Sequence, residues 1–290
     1  MFYGTIMSME NNGILLIRKP QGITSHDVVL KARRYLNTSK IGHTGTLDPM
    51  AEGLMLLTVG TATKILPYIA GHDKEYVASL KLGIKTDTGD ITGKILEEYK
   101  MKEISREEVV SVLNSFLGVT LQTPPMYSAK KVNGKKLYEL ARKNVEIERE
   151  PVEILITAIE LLEFEGDTIS FKVNCSSGTY VRSLCEDIGT KLGTAATMTA
   201  LTRTKIDIFD VNDAYSLENL EQGNYSFMTT YQVLHRYPYY EMNDLADVYN
   251  GKRLELDTTY NFVFITHEEK IIAAYEREED GYFHCKRGLW

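Results

Sequence analysis

The sequence between residues 42 and 54 reads Gly42-His43-Thr44-Gly45-Thr46-Leu47-Asp48-Pro49-Met50-Ala51-Glu52-Gly53-Leu54, and it leads into the apolar run 54–59. Its glycines permit backbone angles that are closed to other residues. Pro49 fixes its own φ and keeps Asp48 out of the helical region. Asp48 is therefore predicted to lie on a rigid loop that enters a buried strand, a suitable position for a catalytic carboxylate. The alternative is an Asp-Pro turn in which Asp48 only hydrogen-bonds to neighbouring backbone.

Length and composition are those of an ordinary globular protein. At 290 residues, the chain is long enough for one large domain and one small one. No apolar run reaches the ~20 residues that cross a bilayer, and the first residues lack the pattern of a secretory signal. We therefore expect a cytoplasmic protein without a membrane segment.

Cysteine and histidine patterns argue against a metal site. Cys175, Cys185 and Cys285 form no metal-type pair, and the six histidines show no His-x-x-x-His spacing. Three is also an odd number for a disulfide framework, so reduced thiols are expected. We predict that the chain binds no metal.

Apolar spacing predicts an alternation of strands and helices. Strands are expected at residues 13–17, 54–59, 76–82, 152–162 and 169–173, and helices at 25–36, 61–69, 105–116 and 180–192. Thr24 or Ser25, Thr61 and Ser105 are the expected N-caps, and Gly193 is the expected helix end. Residues 85–90 predict a turn, and the chain from 236 onward reads as a small strand-rich unit. This pattern indicates an α+β fold.

Residues 123–143 concentrate positive charge in a chain whose net charge is −7. Glu139 alone opposes six cations, which are Lys130, Lys131, Lys135, Lys136, Arg142 and Lys143. Tyr127 and Tyr138 lie among them, an arrangement suited to phosphates and stacked bases. The alternative is a solvated helix face with a lysine-rich turn. The negative total does not exclude RNA, because binding depends on local patches.

Several blocks of sequence, in order, resemble the motifs of the TruB family, the tRNA pseudouridine-55 synthases. They are the loop Gly42 to Gly53, the N-terminal Arg18-Lys19-Pro20-Gln21-Gly22-Ile23-Thr24-Ser25, Lys74-Glu75-Tyr76, the insertion motifs Pro124-Pro125-Met126-Tyr127-Ser128-Ala129 and Gly134 to Arg142, and Cys175-Ser176-Ser177-Gly178-Thr179-Tyr180-Val181-Arg182-Ser183-Leu184. The resemblance runs from residue 18 to about residue 205. Five ordered blocks make it highly specific.

The resemblance implies a domain organisation. A pseudouridine synthase catalytic domain over residues 1–235 is expected, built on a mixed, largely antiparallel sheet with flanking helices. Residues 123–150 would form the thumb that grips an RNA stem-loop. Residues 236–290 would form a small strand-rich PUA-like C-terminal domain.

The resemblance also implies an activity. The expected substrate is the uridine at position 55 of tRNA, in the TΨC arm, isomerised through base flipping and an aspartate nucleophile. The reaction breaks the C1′–N1 bond and makes a C1′–C5 bond without net redox change or hydrolysis. No cofactor is therefore expected, and a monomer without a protein partner is sufficient.

Three residues are the expected catalytic group. Asp48 would be the nucleophile, at C1′ or at C6 of the base. Arg182 would keep it ionised and aimed; the alternative is an arginine that points into solvent or contacts phosphate. Tyr76 would stack on the flipped uracil and accept or relay the C5 proton, although an ordinary phenol pKa of ~10 makes it a poor base. The alternative for Tyr76 is core packing.

Three further residues are expected to contact the substrate. His43 resembles the family residue that fills the space vacated by the extruded base; its alternative role is a loop histidine bonded to backbone. Tyr180 and Leu201 resemble residues that line the uracil pocket. The RNA-binding set would be Lys130, Lys131, Lys135, Lys136 and Arg142.

The chain departs from the usual family pattern at two positions. Glu52 stands where a small Ser or Thr is common, and its charge is expected to raise the pKa of Asp48. Asp207 stands where glycine is common. Lys19 and Lys64 are interpreted as structural or phosphate-facing.

The sequence leaves three other functions open. They are a related RNA-guided synthase, a non-catalytic RNA-binding protein on the same scaffold, and a glycoside hydrolase in which Glu52 serves as second carboxylate. The lack of lysine-rich tails argues against the first, and intact Asp48, Tyr76 and Arg182 argue against the second.

Overall fold

The structure, a computed structural model, describes residues 11–100, 102–128, 130–132, 134–141, 145 and 147–290, with backbone alone at 131, 132, 135, 136, 138 and 139. In this part of the chain the strands are β1 (Gly13–Lys19), β2 (Ile41–Thr44), β3 (Glu52–Val59), β4 (Lys74–Leu82), β5 (Ile84–Thr86), β6 (Ile95–Glu98), β7 (Gly118–Gln122), β8 (Lys131–Val132), β9 (Lys135–Lys136), β10 (Val152–Glu165), β11 (Thr168–Cys175), β12 (Ala196–Ile206), β13 (Phe209–Asp210), β14 (Tyr239–Glu241), β15 (Phe262–His267), β16 (Lys270–Arg277) and β17 (Phe283–Gly288). The α-helices are α1 (Ser25–Tyr35), α2 (Leu66–Ile69), α3 (Arg106–Asn114), α4 (Leu137–Ala141), α5 (Val181–Lys191), α6 (Leu217–Glu221), α7 (Thr230–Val233) and α8 (Ala246–Tyr249).

A nine-stranded sheet forms the centre of the molecule. Its order is β1-β3-β12-β4-β11-β10-β7, with β2 added beside β3 and β13 beside β12. All of its pairs are antiparallel except β12 with β3, where Arg203 lies opposite Gly53. A separate sheet, β14-β15-β16-β17, follows in the C-terminal part. The predicted α+β fold with a mixed, largely antiparallel sheet and a strand-rich C-terminal domain is confirmed.

The two faces of the large sheet bury different partners. Helices α1, α3 and α5 cover one face, where Val29, Leu113 and Leu184 pack in the main core. On the other face, Leu16 and Leu54 pack with Phe264 of the small sheet in a second core. Strand β3 is therefore buried on both sides, which explains its unbroken apolar run.

Helix caps follow the sequence in two cases and differ in one. Thr24 and Ser105 cap α1 and α3, each in a capping box with an acidic residue three positions later. The predicted cap at Thr61 is wrong. Residues 60–65 form a 3-10 helix without a side-chain cap, and the Thr61 hydroxyl bonds to the Asn12 side chain at 2.9 Å.

The region predicted as a turn at residues 85–90 includes the end of a short strand. Strand β5 ends at Thr86 and pairs with β6. All four side chains of β6 are exposed, so the alternation that signals a half-buried strand is missing from its sequence.

Among the described residues, no helix combines the length and the apolar character needed to cross a bilayer.

Candidate active site

Asp48 lies in the loop that joins β2 to β3, and buried side chains hold that loop. The Ser25 hydroxyl donates to the Leu47 carbonyl at 3.1 Å and accepts from the Leu47 N–H at 2.8 Å. The fully buried Lys19 ammonium donates to the Ala51 carbonyl at 2.5 Å. Its pKa is lowered to about 8, chiefly by burial. Lys19 is therefore a structural residue of the Asp48 loop.

The Arg182 guanidinium meets the Asp48 carboxylate along two contacts. Nε lies 2.9 Å from Oδ2, and Nη2 lies 3.3 Å from Oδ1. Backbone carbonyls take two further donors, with Nη1 donating to Thr88 at 2.8 Å and Nη2 to Tyr127 at 2.6 Å. The Arg182 side chain is 5% exposed, against 32% for Asp48. The alternative of a solvent-facing arginine is wrong, and the carboxylate keeps an open side.

Asp90 is a second carboxylate at this arginine, and sequence reasoning missed it. Its Oδ2 lies 3.9 Å from Arg182 Nη1. Its Oδ1 accepts hydrogen bonds from the Thr92 N–H at 3.0 Å and from the Thr88 hydroxyl at 3.1 Å. The sequence does contain a local sign of this aspartate: Thr88 and Thr92 lie two residues before and two residues after it, a spacing typical of turns that side chains stabilise. That spacing does not reveal the distant arginine.

The pKa of Asp48 is raised above its ordinary value. Burial is the main cause, and the charge of Asp90 adds to it, while Arg182 and Lys19 oppose both. The main contributions to this shift come from groups other than Glu52. The Glu52 carboxylate instead accepts a hydrogen bond from the Thr202 hydroxyl at 3.3 Å.

Tyr76 and Leu201 are brought to neighbouring strands at the centre of the sheet. In the β12–β4 pair, Tyr76 lies opposite Arg203 and Leu201 opposite Ala78. Tyr76 is 7% exposed and Leu201 is 6% exposed. Burial raises the pKa of the Tyr76 phenol, Arg203 opposes this rise, and the charge of Asp48 adds to it. The phenol is therefore protonated at neutral pH and lies within the electrostatic reach of the carboxylate.

His43 lies on a strand, so its interpretation as a loop residue is wrong. It belongs to β2 and pairs with Leu57 of β3. Burial lowers its pKa, and the nearby Arg203 charge lowers it further. The ring is therefore neutral at physiological pH, and its buried Nδ1 has no partner among the described residues.

Tyr180 is half-buried at the start of α5, two residues before Arg182. Its backbone is held by the buried Gln122 side chain. The Tyr180 N–H donates to Gln122 Oε1 at 2.8 Å, and Gln122 Nε2 donates to the Tyr180 carbonyl at 3.0 Å. Gln122 therefore positions Tyr180, and like Asp90 it was not predicted from the sequence.

The basic segment contains a short hairpin followed by a short helix. Strands β8 and β9 pair antiparallel, and the Lys130 carbonyl accepts from the Leu137 N–H at 2.9 Å where α4 begins. Lys131 belongs to strand β8, and Lys135 and Lys136 form strand β9. Arg142 lies outside the described residues. The segment adjoins the site, because the Tyr127 carbonyl is bonded to Arg182.

The arrangement presents an ionisable carboxylate, open on one side, beside a fixed guanidinium and a buried phenol. A carboxylate so placed can act as a nucleophile or a base. In the described part of the chain, no group of three or more His, Cys, Asp or Glu side chains is arranged to hold a metal ion.

Known proteins match both parts of the chain. Residues 33–181 match the model of the TruB family pseudouridylate synthase N-terminal domain, and residues 182–250 match the tRNA pseudouridylate synthase B C-terminal domain. A tRNA pseudouridine synthase B from Clostridium tetani is 41% identical over 93% of this chain and 97% of its own length. The protein of the same name from Mesoplasma florum is 40% identical over 97% and 99%.

Solved structures support the same fold. A chain of the archaeal box H/ACA sRNP Nop10–Cbf5 complex aligns with a TM-score of 0.74 at 21% identity, covering 99% of this chain and 89% of the other. A chain of a Cbf5–Nop10–Gar1 complex gives 0.73 at 22% identity, covering 96% and 85%. These structures show the fold, and the family model together with the 40–41% identity to the bacterial proteins shows that the chain belongs to the TruB family of pseudouridylate synthases.

Proposed function

We propose that this protein isomerises the uridine at position 55 of tRNA, in the TΨC arm, to pseudouridine, with Asp48 as nucleophile. The relatives named tRNA pseudouridine synthase B support tRNA as substrate. The observation that carries the mechanism is the two-contact pairing of Arg182 with a carboxylate that keeps 32% of its side chain exposed.

The chemistry follows from the state of this carboxylate. Burial and Asp90 raise the pKa of Asp48, while Arg182 lowers it. Arg182 therefore keeps Asp48 ionised in a site that otherwise favours the neutral acid. Attack by the Asp48 carboxylate, at C1′ or at C6, leads to cleavage of the C1′–N1 bond and leaves a covalent bond to the enzyme. When C5 bonds to C1′, this bond to Asp48 is broken and the carboxylate is released. A base then takes the C5 proton and N1 gains a proton, so that the overall change is an isomerisation.

Tyr76, Tyr180 and Leu201 would form the walls of the uracil pocket. Tyr76 and Leu201 occupy neighbouring strands, and Tyr180 starts the helix that carries Arg182. An aromatic ring and an apolar side chain favour a flipped base by stacking and by excluding water. His43, neutral at physiological pH, would fill the space that the base leaves in the RNA.

The thumb, residues 123–150, would bind phosphates of the stem-loop through its basic residues. The C-terminal domain from residue 236 would add affinity without taking part in the chemical step. The solved structures at 21–22% identity come from protein complexes. For this chain we expect activity without a protein partner. A tRNA transcript incubated with the purified protein alone, followed by mapping of pseudouridine, tests both the position and this independence.

The nucleophile is tested with Asp48→Asn and the matched neighbour variant Glu52→Gln. The amide is a very poor nucleophile, so pseudouridine is expected to be absent from Asp48→Asn at excess enzyme over tRNA. Binding should persist, because phosphate contacts lie elsewhere. Glu52→Gln should retain activity. Product from Asp48→Asn, with deamidation excluded by mass spectrometry, would overturn the assignment.

A further inference from the structure

Arg203 is one of the largest fully buried side chains of the described structure, with 1% exposure. It lies on β12 between two strands of the site, opposite Gly53 of β3 on one side and opposite Tyr76 of β4 on the other. Burying a guanidinium carries a large desolvation cost, so its contacts show what it stabilises.

The guanidinium bonds to both ends of the Asp48 loop. Nε donates to the Leu54 carbonyl at 2.7 Å, and Nη2 donates to the Gly45 carbonyl at 3.1 Å. These two carbonyls enclose the segment that carries Asp48. Tyr76 is the cross-strand partner of Arg203 in the β12–β4 pair, so the two side chains lie on the same face of the sheet. The positive charge of Arg203 opposes the rise in the pKa of the Tyr76 phenol that burial causes.

Two glycines make room for this arginine. A Cβ on Gly53 would lie 2.3 Å from the Arg203 carbonyl oxygen, and one on Gly45 would lie 3.3 Å from Nη1. Both glycines have positive φ, +113° and +69°. Gly45 and Gly53 therefore serve the close approach of Arg203 as well as the turn itself.

The partners of Arg203 differ in kind from those of Arg182. Arg182 pairs with Asp48 and Asp90. Within the described residues, Arg203 forms no ion pair with a carboxylate. Its hydrogen bonds go to two carbonyls, and its cross-strand partner is the phenol-bearing Tyr76. The N–H donors of a guanidinium point in fixed directions. A guanidinium between several parts of a site therefore fixes their relative positions better than a flexible lysine ammonium does.

We propose that Arg203 is a positioning residue that fixes the Tyr76 phenol relative to the Asp48 loop. This inference rests on the proposed function, because it requires Tyr76 to face the target base. Loss of the guanidinium lets the phenol and the carboxylate move independently, and a displacement of about 1 Å can cost about 100-fold in rate.

The experiment is a double-mutant cycle with Arg203→Lys, Tyr76→Phe and the double variant. Single-turnover rates at saturating tRNA, tRNA affinity and circular dichroism are measured for each protein. Arg203→Lys is expected to lose about 10- to 100-fold in rate with affinity unchanged. The double variant is expected to be no slower than Tyr76→Phe. A rate for Arg203→Lys within twofold of wild type, or losses that multiply in the double variant, would overturn the inference.

A second measurement keeps the inference testable if Arg203→Lys does not fold. In ¹⁵N-arginine-labelled protein, the Arg203 side-chain resonance is compared between wild type and Tyr76→Phe. It is expected to shift when the phenolic oxygen is removed, and an unchanged resonance would contradict the inference. Failure of the proposed function is separate, because it would show as an inactive wild type or an active Asp48→Asn.

Discussion

Arg182 holds Asp48 side-on, with Nε 2.9 Å from Oδ2 and Nη2 3.3 Å from Oδ1. A guanidinium presents two parallel donors to a carboxylate, whereas an ammonium acts as a single point of charge. The pairing therefore sets both the direction and the ionisation of Asp48, and these two effects can be separated by experiment.

Arg182→Lys is expected to slow single turnover by about 100-fold at neutral pH, because one ammonium cannot hold both carboxylate oxygens. It should also move the acid limb of the rate. Arg182 lowers the pKa of Asp48, so a weaker pairing raises it. Activity needs the ionised form and should disappear at a higher pH than in wild type. Rates between pH 4.5 and 8 at saturating tRNA measure this, and an unmoved limb would contradict it.

Asp90→Asn is expected to shift the acid limb in the opposite direction. The Asp90 charge raises the pKa of Asp48, so its removal lowers that pKa and extends activity to lower pH. The plateau rate should fall, because Arg182 loses a partner at 3.9 Å. Glu52→Gln is the matched control and should leave the limb in place. Shifts of the same sign in the Asp90 and Arg182 variants would refute this account of the site's electrostatics.

Local patterns predicted strands β1, β3, β4, β10 and β11 and helices α1, α3 and α5, but they did not predict β2, β7, β13 or the central strand β12. The N-cap at Thr24 (one of two candidates), the N-cap at Ser105, the alternation along β4 and the apolar run of β3 all require only near neighbours in sequence. The exposed strand β6 was missed, because it buries no face that would leave a periodic signal.

The site was predicted in part, for a related reason. Asp48 was predicted from the glycines and the proline of its own loop, and Arg182 was predicted from the motif of residues 175–184. The roles of Asp90 and Arg203 arise from contacts between residues that are distant in the sequence. Asp90 and its partner Arg182 are 92 positions apart, and Arg203 and its partner Gly45 are 158 positions apart. One sequence without its fold does not contain that information.

The basic segment is expected to determine the salt dependence of tRNA binding. Each phosphate contact contributes about 0.7–0.9 to the slope of log K against log salt. Replacing Lys130, Lys131, Lys135 and Lys136 with Ala should weaken binding and flatten the slope. The matched control replaces four lysines that have carboxylate partners elsewhere in the chain, namely Lys81, Lys85, Lys172 and Lys205. A slope unchanged in the first variant, or equally reduced in both, would reject the assignment.

Asp207 combines a backbone conformation that favours glycine with a buried charge. Its φ of +55° favours glycine, yet its fully buried carboxylate pairs with Arg236 and lies 3.4 Å from both His72 Nδ1 and His235 Nε2. These contacts offset the strained backbone and connect the β12–β13 turn to the chain that leads into the C-terminal sheet. Asp207→Asn keeps the shape and removes the charge, so it is expected to lower the free energy of unfolding by about 1–3 kcal/mol.

The loss in Asp207→Asn should grow as the pH falls. Burial lowers the pKa of His72, and the charge of Asp207 opposes this shift without reversing it. In the variant the opposing charge is lost, so His72 protonates less readily in the folded protein. The part of the contribution that comes from His72 is present where His72 is protonated, and it fades as the pH rises through the pKa of His72 in the folded protein, whereas the pairing with Arg236 persists. Urea unfolding at pH 8 and at pH 5.5 measures the difference, with Asp167→Asn, an exposed partner of Lys81, as control. A loss that is smaller at pH 5.5 than at pH 8 would show that the carboxylate does not stabilise the protonated histidine.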